Sequence, residues 1–568
     1  MLFVIGALVL SAAGLGYFSW LHRRLAIDFA FIPGIAFSLI TATVFLSGIL
    51  NVLPLTVVTI VFCGSLLLVF EWRSHHERLK ATLREPALWM MAGATVYVGW
   101  VVRGQRFTHY DNFSHWALVV RVMLTENRFP TFEDPVVVFQ SYPLGSASFI
   151  YLVSKVLGSS ESVMMLSQGV LILGFVVGLM GISRRHRIAA GVLTVGTFAV
   201  VLSYNIPLDS LLVDSLLAAI TGYLLLFVVV HRARLMELLL PFTAILCTLA
   251  TVKNGGILFA VIGAVLAAVI GNGTGRRLGW RFWAASGNPF LILLLWNRHV
   301  DLVFSDGLDA KHSLSVAYLA SVFNDKTPAQ VTAIVQRYVG LIVSDRVAAL
   351  LLVGSIILAI VLVRKKVFAP LTAALMSAGL ILMTIVYHGG ILAMYLFSMP
   401  VGEALALAGH ERYLRVMHLV LLMMLIGLLL TVLERTHKVA QRFSYAAGAA
   451  GGAALLIAFV NWSALLPNDR MSSVRTGVLR AVGSAKIPSS DRVCILLNQY
   501  DHDYRLYLVR YSLLSANVVN KVIGPKTNPK NLRDCQHFVL LENNPLAVAL
   551  LSAQGLHIGR NAPVLVHR

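Results

Sequence analysis

Long stretches of this 568-residue chain carry no formal charge, and these constrain the fold more than any other feature. Val163 to Ile182 and Val416 to Leu433 contain no Asp, Glu, Lys or Arg. About 20 apolar residues in a helix cross the ~30 Å hydrocarbon core of a bilayer. Backbone amides in lipid must bond within their own segment, so such stretches are expected to be helices. Spans are expected at 2–20, 28–50, 52–70, 87–102, 163–182, 188–204, 211–230, 237–252, 254–271, 281–297, 347–363, 368–397, 413–433 and 443–466. The expected fold class is therefore mainly α: a polytopic transmembrane helical bundle of about 14 spans.

The formal net charge of +20 would suggest nucleic acid in a soluble protein, but the positions of the charges exclude that reading. The basic residues cluster in short links: His22-Arg23-Arg24, Arg73 to Arg84, Ser183 to Arg187, His231 to Arg234, Arg276-Arg277, Arg364 to Lys366 and Glu434 to Lys438. With the spans above, all seven fall on one side, which the positive-inside rule makes cytoplasmic. The long links then face outward: 103–162, 298–346, 398–412 and the tail from 467. For the count to close, residues 143–158 must not cross, and they are expected to lie as an interfacial helix. The first apolar run lacks a charged leader and reads as a span rather than a cleaved signal. These segments imply four domains: N-terminal spans 1–102, an extracytoplasmic loop 103–162, a core 163–466 and an extracytoplasmic domain 467–568.

That tail alternates strand and helix patterns. Arg492 to Leu497, Ala516 to Val522, His537 to Leu541 and Pro563 to Val566 read as strands, and Tyr504 to Leu514 and Pro545 to Gln554 as helices. A small α/β layer is the expectation, with an accessory or acceptor-docking role. Cys494 and Cys535 lie within it, and could pair only in an oxidising compartment. Cys63 and Cys247 lie in apolar spans as packing residues. Gly271-Asn272-Gly273-Thr274-Gly275 lacks the Lys-Ser/Thr of a phosphate loop and reads as a turn.

Polar chemistry concentrates in 103–145. Asn112 to Leu124 has the spacing of an amphipathic helix, with Phe113, Trp116, Val120, Met123 and Leu124 on one face. Asp111 stands where it could cap that helix or act as a general base; both roles are compatible. His115, one turn on, could orient it or be a plain surface histidine. Glu133 and Asp134 could bind a divalent cation or be solvated loop carboxylates. Asp209 and Asp214 flank the start of a span and could contact substrate or serve as caps. Lys253 interrupts two apolar spans, where a charge near hydrocarbon costs roughly 2.5–3.5 kcal/mol; it either snorkels to water or binds an anion. Arg412, beside Tyr413, is an interfacial anchor or an anion ligand. His388 is expected to be buried and hydrogen-bonded.

The order of three motifs resembles the GT-C superfamily of integral membrane glycosyltransferases. Tyr110-Asp111 opens the first large external loop, followed by the helical segment and Ser141-Tyr142-Pro143-Leu144-Gly145. Thr248 to Gly256, with Lys253 within it, resembles that family's break between two spans. Gly409-His410-Glu411-Arg412-Tyr413 resembles the Arg-Tyr pair opening a late span. One departure is that three additional spans precede the aspartate. The resemblance implies a polyprenyl-phosphate sugar as donor, an extracytoplasmic polysaccharide, lipid or protein as acceptor, and inverting single displacement in a bacterial plasma membrane. Asp111 would be the base and Lys253 and Arg412 the donor-phosphate ligands; Tyr110, His115, Asp209, Asp214, His410 and Tyr413 would be substrate contacts. No cofactor beyond a divalent cation is expected. The rival readings are a transporter or flippase of a lipid-linked precursor and a non-catalytic assembly component. A transporter needs ionisable residues near the bilayer midplane and two related halves; the spans are nearly free of acidic residues and show no internal repeat.

Overall fold

The computed structural model describes residues 2–272, 278–304, 316–435, 441–467, 473–483, 485–525, 527–556 and 562–568. Each of the fourteen apolar stretches is helical. Eight helices are long and apolar enough to cross a bilayer: Leu2–Leu25, Phe29–Ile49, Leu53–Ser74, Glu161–Ile182, Asp214–Arg234, Arg346–Arg364, Pro370–Phe397 and His410–Glu434. Shorter apolar helices, among them Pro86–Val101, Arg187–Ser203 and Leu239–Val252, lie between them. The protein is a multi-pass membrane helical bundle with a small C-terminal α/β domain.

The helices pack through small residues, as lipid-embedded helices must when apolar burial alone does not drive association. Leu2–Leu25 and Leu53–Ser74 cross with Gly16 against Gly64; a Cβ on Gly16 would overlap the Gly64 carbonyl.

The basic links meet at one end of the bundle. Arg23 pairs with the buried Glu71 at 2.8 Å, Arg184 with Asp28 at 2.7 Å, and Arg234 donates to the Leu25 and Ala26 carbonyls at 3.0 Å. Arg232 reaches the Val367 carbonyl at 3.2 Å, and Glu434 accepts from the Ser183 hydroxyl at 2.9 Å. Arg276-Arg277, Gly273 to Gly275, His437 and Lys438 lie outside the described residues.

Two segments depart from expectation. Residues 143–158 contain the helix Gly145–Leu157, whose 13 residues span only about 20 Å. Lys155 at its C-terminal end hydrogen-bonds Asn127, and Gly145 at its start is packed on Thr251. Nine of the thirteen residues are buried, so this helix is packed against the protein over most of its surface. The external segment 298–346 is largely helical where described: Trp280–Val303 extends into it, and Val316–Asn324 and Pro328–Val343 follow. Its residues 305–315 lie outside the described residues.

In the tail, β1 (Val493–Leu497), β2 (Val518–Val522), β3 (His537–Leu540) and β4 (Val564–His567) form one sheet in the order β2-β1-β3-β4. β1 pairs in parallel with β2 and β3, and β4 is antiparallel to β3. All five residues of β1 are buried, as a central parallel strand covered on both faces requires. Cys494 on β1 and Cys535 just before β3 are joined by a disulfide, with Cα atoms 5.8 Å apart.

Candidate functional site

The site assembles where four separate parts of the chain reach the end of the bundle opposite the basic links. Asp111 precedes a π-helical turn, Asn112–Trp116, that runs into the helix Ala117–Glu126. Asp214 is the first residue of the helix Asp214–His231. Lys253 sits in extended conformation just after the helix Leu239–Val252. Arg412 lies in the first turn of His410–Glu434, entered through Gly409 at φ +73°, a left-handed conformation that favours glycine.

Four charges form a continuous chain. The Asp111 carboxylate accepts from Arg412 Nη1 at 2.9 Å, and Arg412 Nε lies 3.4 Å from the Asp214 carboxylate. The other Asp214 oxygen accepts from Lys253 Nζ at 3.0 Å. Asp214 is buried, its side chain 3% exposed, whereas Asp111 is 31% exposed, Arg412 24% and Lys253 21%. One buried carboxylate thus holds two cations, and a more open carboxylate shares one of them. Both cations also lie over the Tyr413 ring, at 5.4 Å for Lys253 and 5.2 Å for Arg412, a contact worth roughly 0.5–2 kcal/mol. Arg412 Nη2 donates to the Tyr413 hydroxyl at 3.2 Å. Tyr387, not singled out by the sequence reading, fixes this turn by donating to the Tyr413 carbonyl at 3.1 Å. A tyrosine after a run of apolar residues carries no local sign of that role.

The capping reading of Asp111 fails: its side chain makes no bond to the first turn of the helix it precedes. It turns instead to Arg412, 301 residues away in sequence. Tyr110 faces the tail, its ring 5.1 Å from Tyr507 in an edge-to-face contact, and burial raises the pKa of its hydroxyl. His115 is not a surface histidine. It is buried among Trp116, Phe139 and Tyr142 at 4.7, 5.6 and 5.2 Å, and that burial pushes its pKa down to about 3. Its ring is therefore neutral at physiological pH. Tyr142, from the Ser-Tyr-Pro motif, stacks on Phe139 at 5.6 Å and stands within electrostatic reach of Lys253, Arg412 and Asp111.

The remaining expected residues have the following surroundings. His410 uses Nδ1 on the Leu407 carbonyl at 3.0 Å, closing the turn before its own helix. Asp209 is buried in the segment before Asp214. Glu133 and Asp134 are both taken by Arg128, at 3.0 and 2.5 Å, so a guanidinium occupies the position a cation would fill. They line a separate cleft of about 330 Å³ with Glu126, Ser489, Ser515 and Asn517. Among the described residues, no group of three or more His, Cys, Asp or Glu is arranged to hold a metal. His388 is buried and hydrogen-bonded to the Tyr338 hydroxyl at 3.1 Å.

No protein-family model matches the chain, and no curated protein does. Among solved structures it is similar to ArnT from Cupriavidus metallidurans bound to undecaprenyl phosphate. That similarity spans 84% of this chain and 97% of that one, at 15% identity and a TM-score of 0.38.

Proposed function

We propose that the protein is a membrane glycosyltransferase of the GT-C type, moving a sugar from a polyprenyl-phosphate donor to an extracytoplasmic acceptor. The observation that carries this reading is the Asp111–Arg412–Asp214–Lys253 chain: a solvent-reachable carboxylate beside two cations at one end of a membrane bundle. The acceptor hydroxyl loses its proton as its oxygen attacks the anomeric carbon, and in this reading Asp111 takes it. Such a base contributes about 10²–10⁴-fold. The lipid phosphate leaves with its charge, which Arg412 and Lys253 stabilise. The attack inverts the anomeric centre because a single displacement occurs. The positive-inside rule puts this end outside the cytoplasm, and the Cys494–Cys535 disulfide supports an oxidising compartment for the tail. A bacterial plasma membrane suits both.

The test is sugar transfer by the purified chain from a synthetic polyprenyl-phosphate sugar. Asp111→Asn is expected to lower kcat by about 10²-fold or more with the protein folded and the donor still bound. Carrier movement across vesicles without covalent transfer would favour the flippase instead, and a fully active Asp111→Asn would end the assignment of the base.

A further inference from the structure

Glu161 begins the helix Glu161–Val176, and its carboxylate is buried. One oxygen accepts from the Phe107 backbone N–H at 2.8 Å. The other accepts from Arg475 Nη2 at 2.5 Å and from the Tyr511 hydroxyl at 3.1 Å. A single carboxylate thus joins the backbone four residues before Asp111 to two helices of the C-terminal region, Ser473–Val482 and Tyr504–Leu513. Arg475, 1% exposed, lies over Phe113 at 5.0 Å and Tyr511 at 5.8 Å.

Further contacts follow the same seam. Tyr504 donates to the Thr108 carbonyl at 3.1 Å. Arg121 donates to the Tyr511 and Ser512 carbonyls at 2.6 and 3.1 Å, at the C-terminal end of the tail helix. On the far side of Asp111, the Asn112 side chain accepts from the Leu211 N–H at 2.9 Å. The segment carrying Asp111 is therefore clamped at both ends, and its upstream clamp includes the C-terminal domain.

We propose that Glu161 is a positioning residue: together with Arg475 and Tyr511 it holds the backbone from Phe107 to Asn112, so that Asp111 is set in place only when the C-terminal domain is seated. The tail is then a structural constituent of the site rather than an accessory on a tether. The catalytic consequence rests on the reading of Asp111 as base; the positioning itself does not. A buried carboxylate stripped of its arginine is an uncompensated charge, so removal of either partner reaches the Phe107 amide.

Hydrogen exchange on the full chain in nanodiscs tests this. Arg475→Met is expected to speed exchange in 107–111 by about tenfold or more, the factor a lost buried hydrogen bond commands, with the spans unchanged. The double variant Glu161→Met with Arg475→Met keeps the seam filled with apolar side chains, leaves no unpaired buried charge, and removes the acceptor shared by the Phe107 amide and the Tyr511 hydroxyl. It is expected to leave the tail protected while 107–111 still exchanges fast. Wild-type protection of 107–111 in the double variant overturns the proposal, because tail seating alone would then suffice. In the transfer assay Glu161→Gln is expected to lower kcat while leaving the donor KM unchanged. If Asp111→Asn retains activity, the base assignment fails and the exchange result stands on its own.

Discussion

At the scale of single residues, Asp214 explains how two cations coexist beside hydrocarbon. Its buried carboxylate pairs with Lys253 and faces Arg412. Asp214→Asn leaves both without that partner and is expected to cost about 3 kcal/mol, read as a lower apparent Tm. His115 offers a second prediction. Its pKa is about 3 in the folded chain and near 6.5 when exposed, so between those values the unfolded state binds more protons. Stability therefore falls as pH drops through that window. The Tm loss on going from about pH 7 to about pH 4.5 should be smaller in His115→Phe than in wild type. An equal loss would show that His115 ionises freely. Residue identities were legible in the sequence here, but partnerships were not. Asp111 sits where a helix cap belongs, and no local pattern announces that Arg412, 301 positions later, competes for it. The burial of His115 arises likewise from Phe139 and Tyr142, which fold back from beyond its own helix.

At the scale of elements, absence of charge over about 20 residues located the spans, because lipid leaves the backbone no alternative to helix. The tail's strands and helices were equally legible, since short apolar runs of four or five residues alternate there with longer helical runs. Two things escaped. The π-helical turn at Asn112–Trp116 has no compositional mark, and its geometry alters which side chains face inward. The helix Gly145–Leu157 has the amphipathicity of an interfacial helix, yet its neighbours cover it, and only tertiary packing decides that. Helix packing supplies a further test. Gly16→Leu drives a side chain into the Gly64 carbonyl at the first crossing. It should reduce the yield of folded protein while leaving the turnover of the folded fraction unchanged, because the site lies elsewhere. A reduced turnover per folded molecule would show that this pair of helices is coupled to the site.

At the scale of the whole molecule, the basic links gather at one end and the candidate site with the docked tail at the other. Reporter tags in the 75–84 link and after Arg568 should therefore label from opposite sides of the membrane; labelling from one side would reverse the topology. The charge chain carries a last implication. Asp111, Asp214, Lys253 and Arg412 sum to zero, so their cluster exerts little long-range pull on an approaching anion. Capture then depends on short-range exchange of partners at contact, which dissolved salt screens poorly. Raising ionic strength should change the rate of donor association only slightly, a kinetic indifference that a site with surplus positive charge would lack.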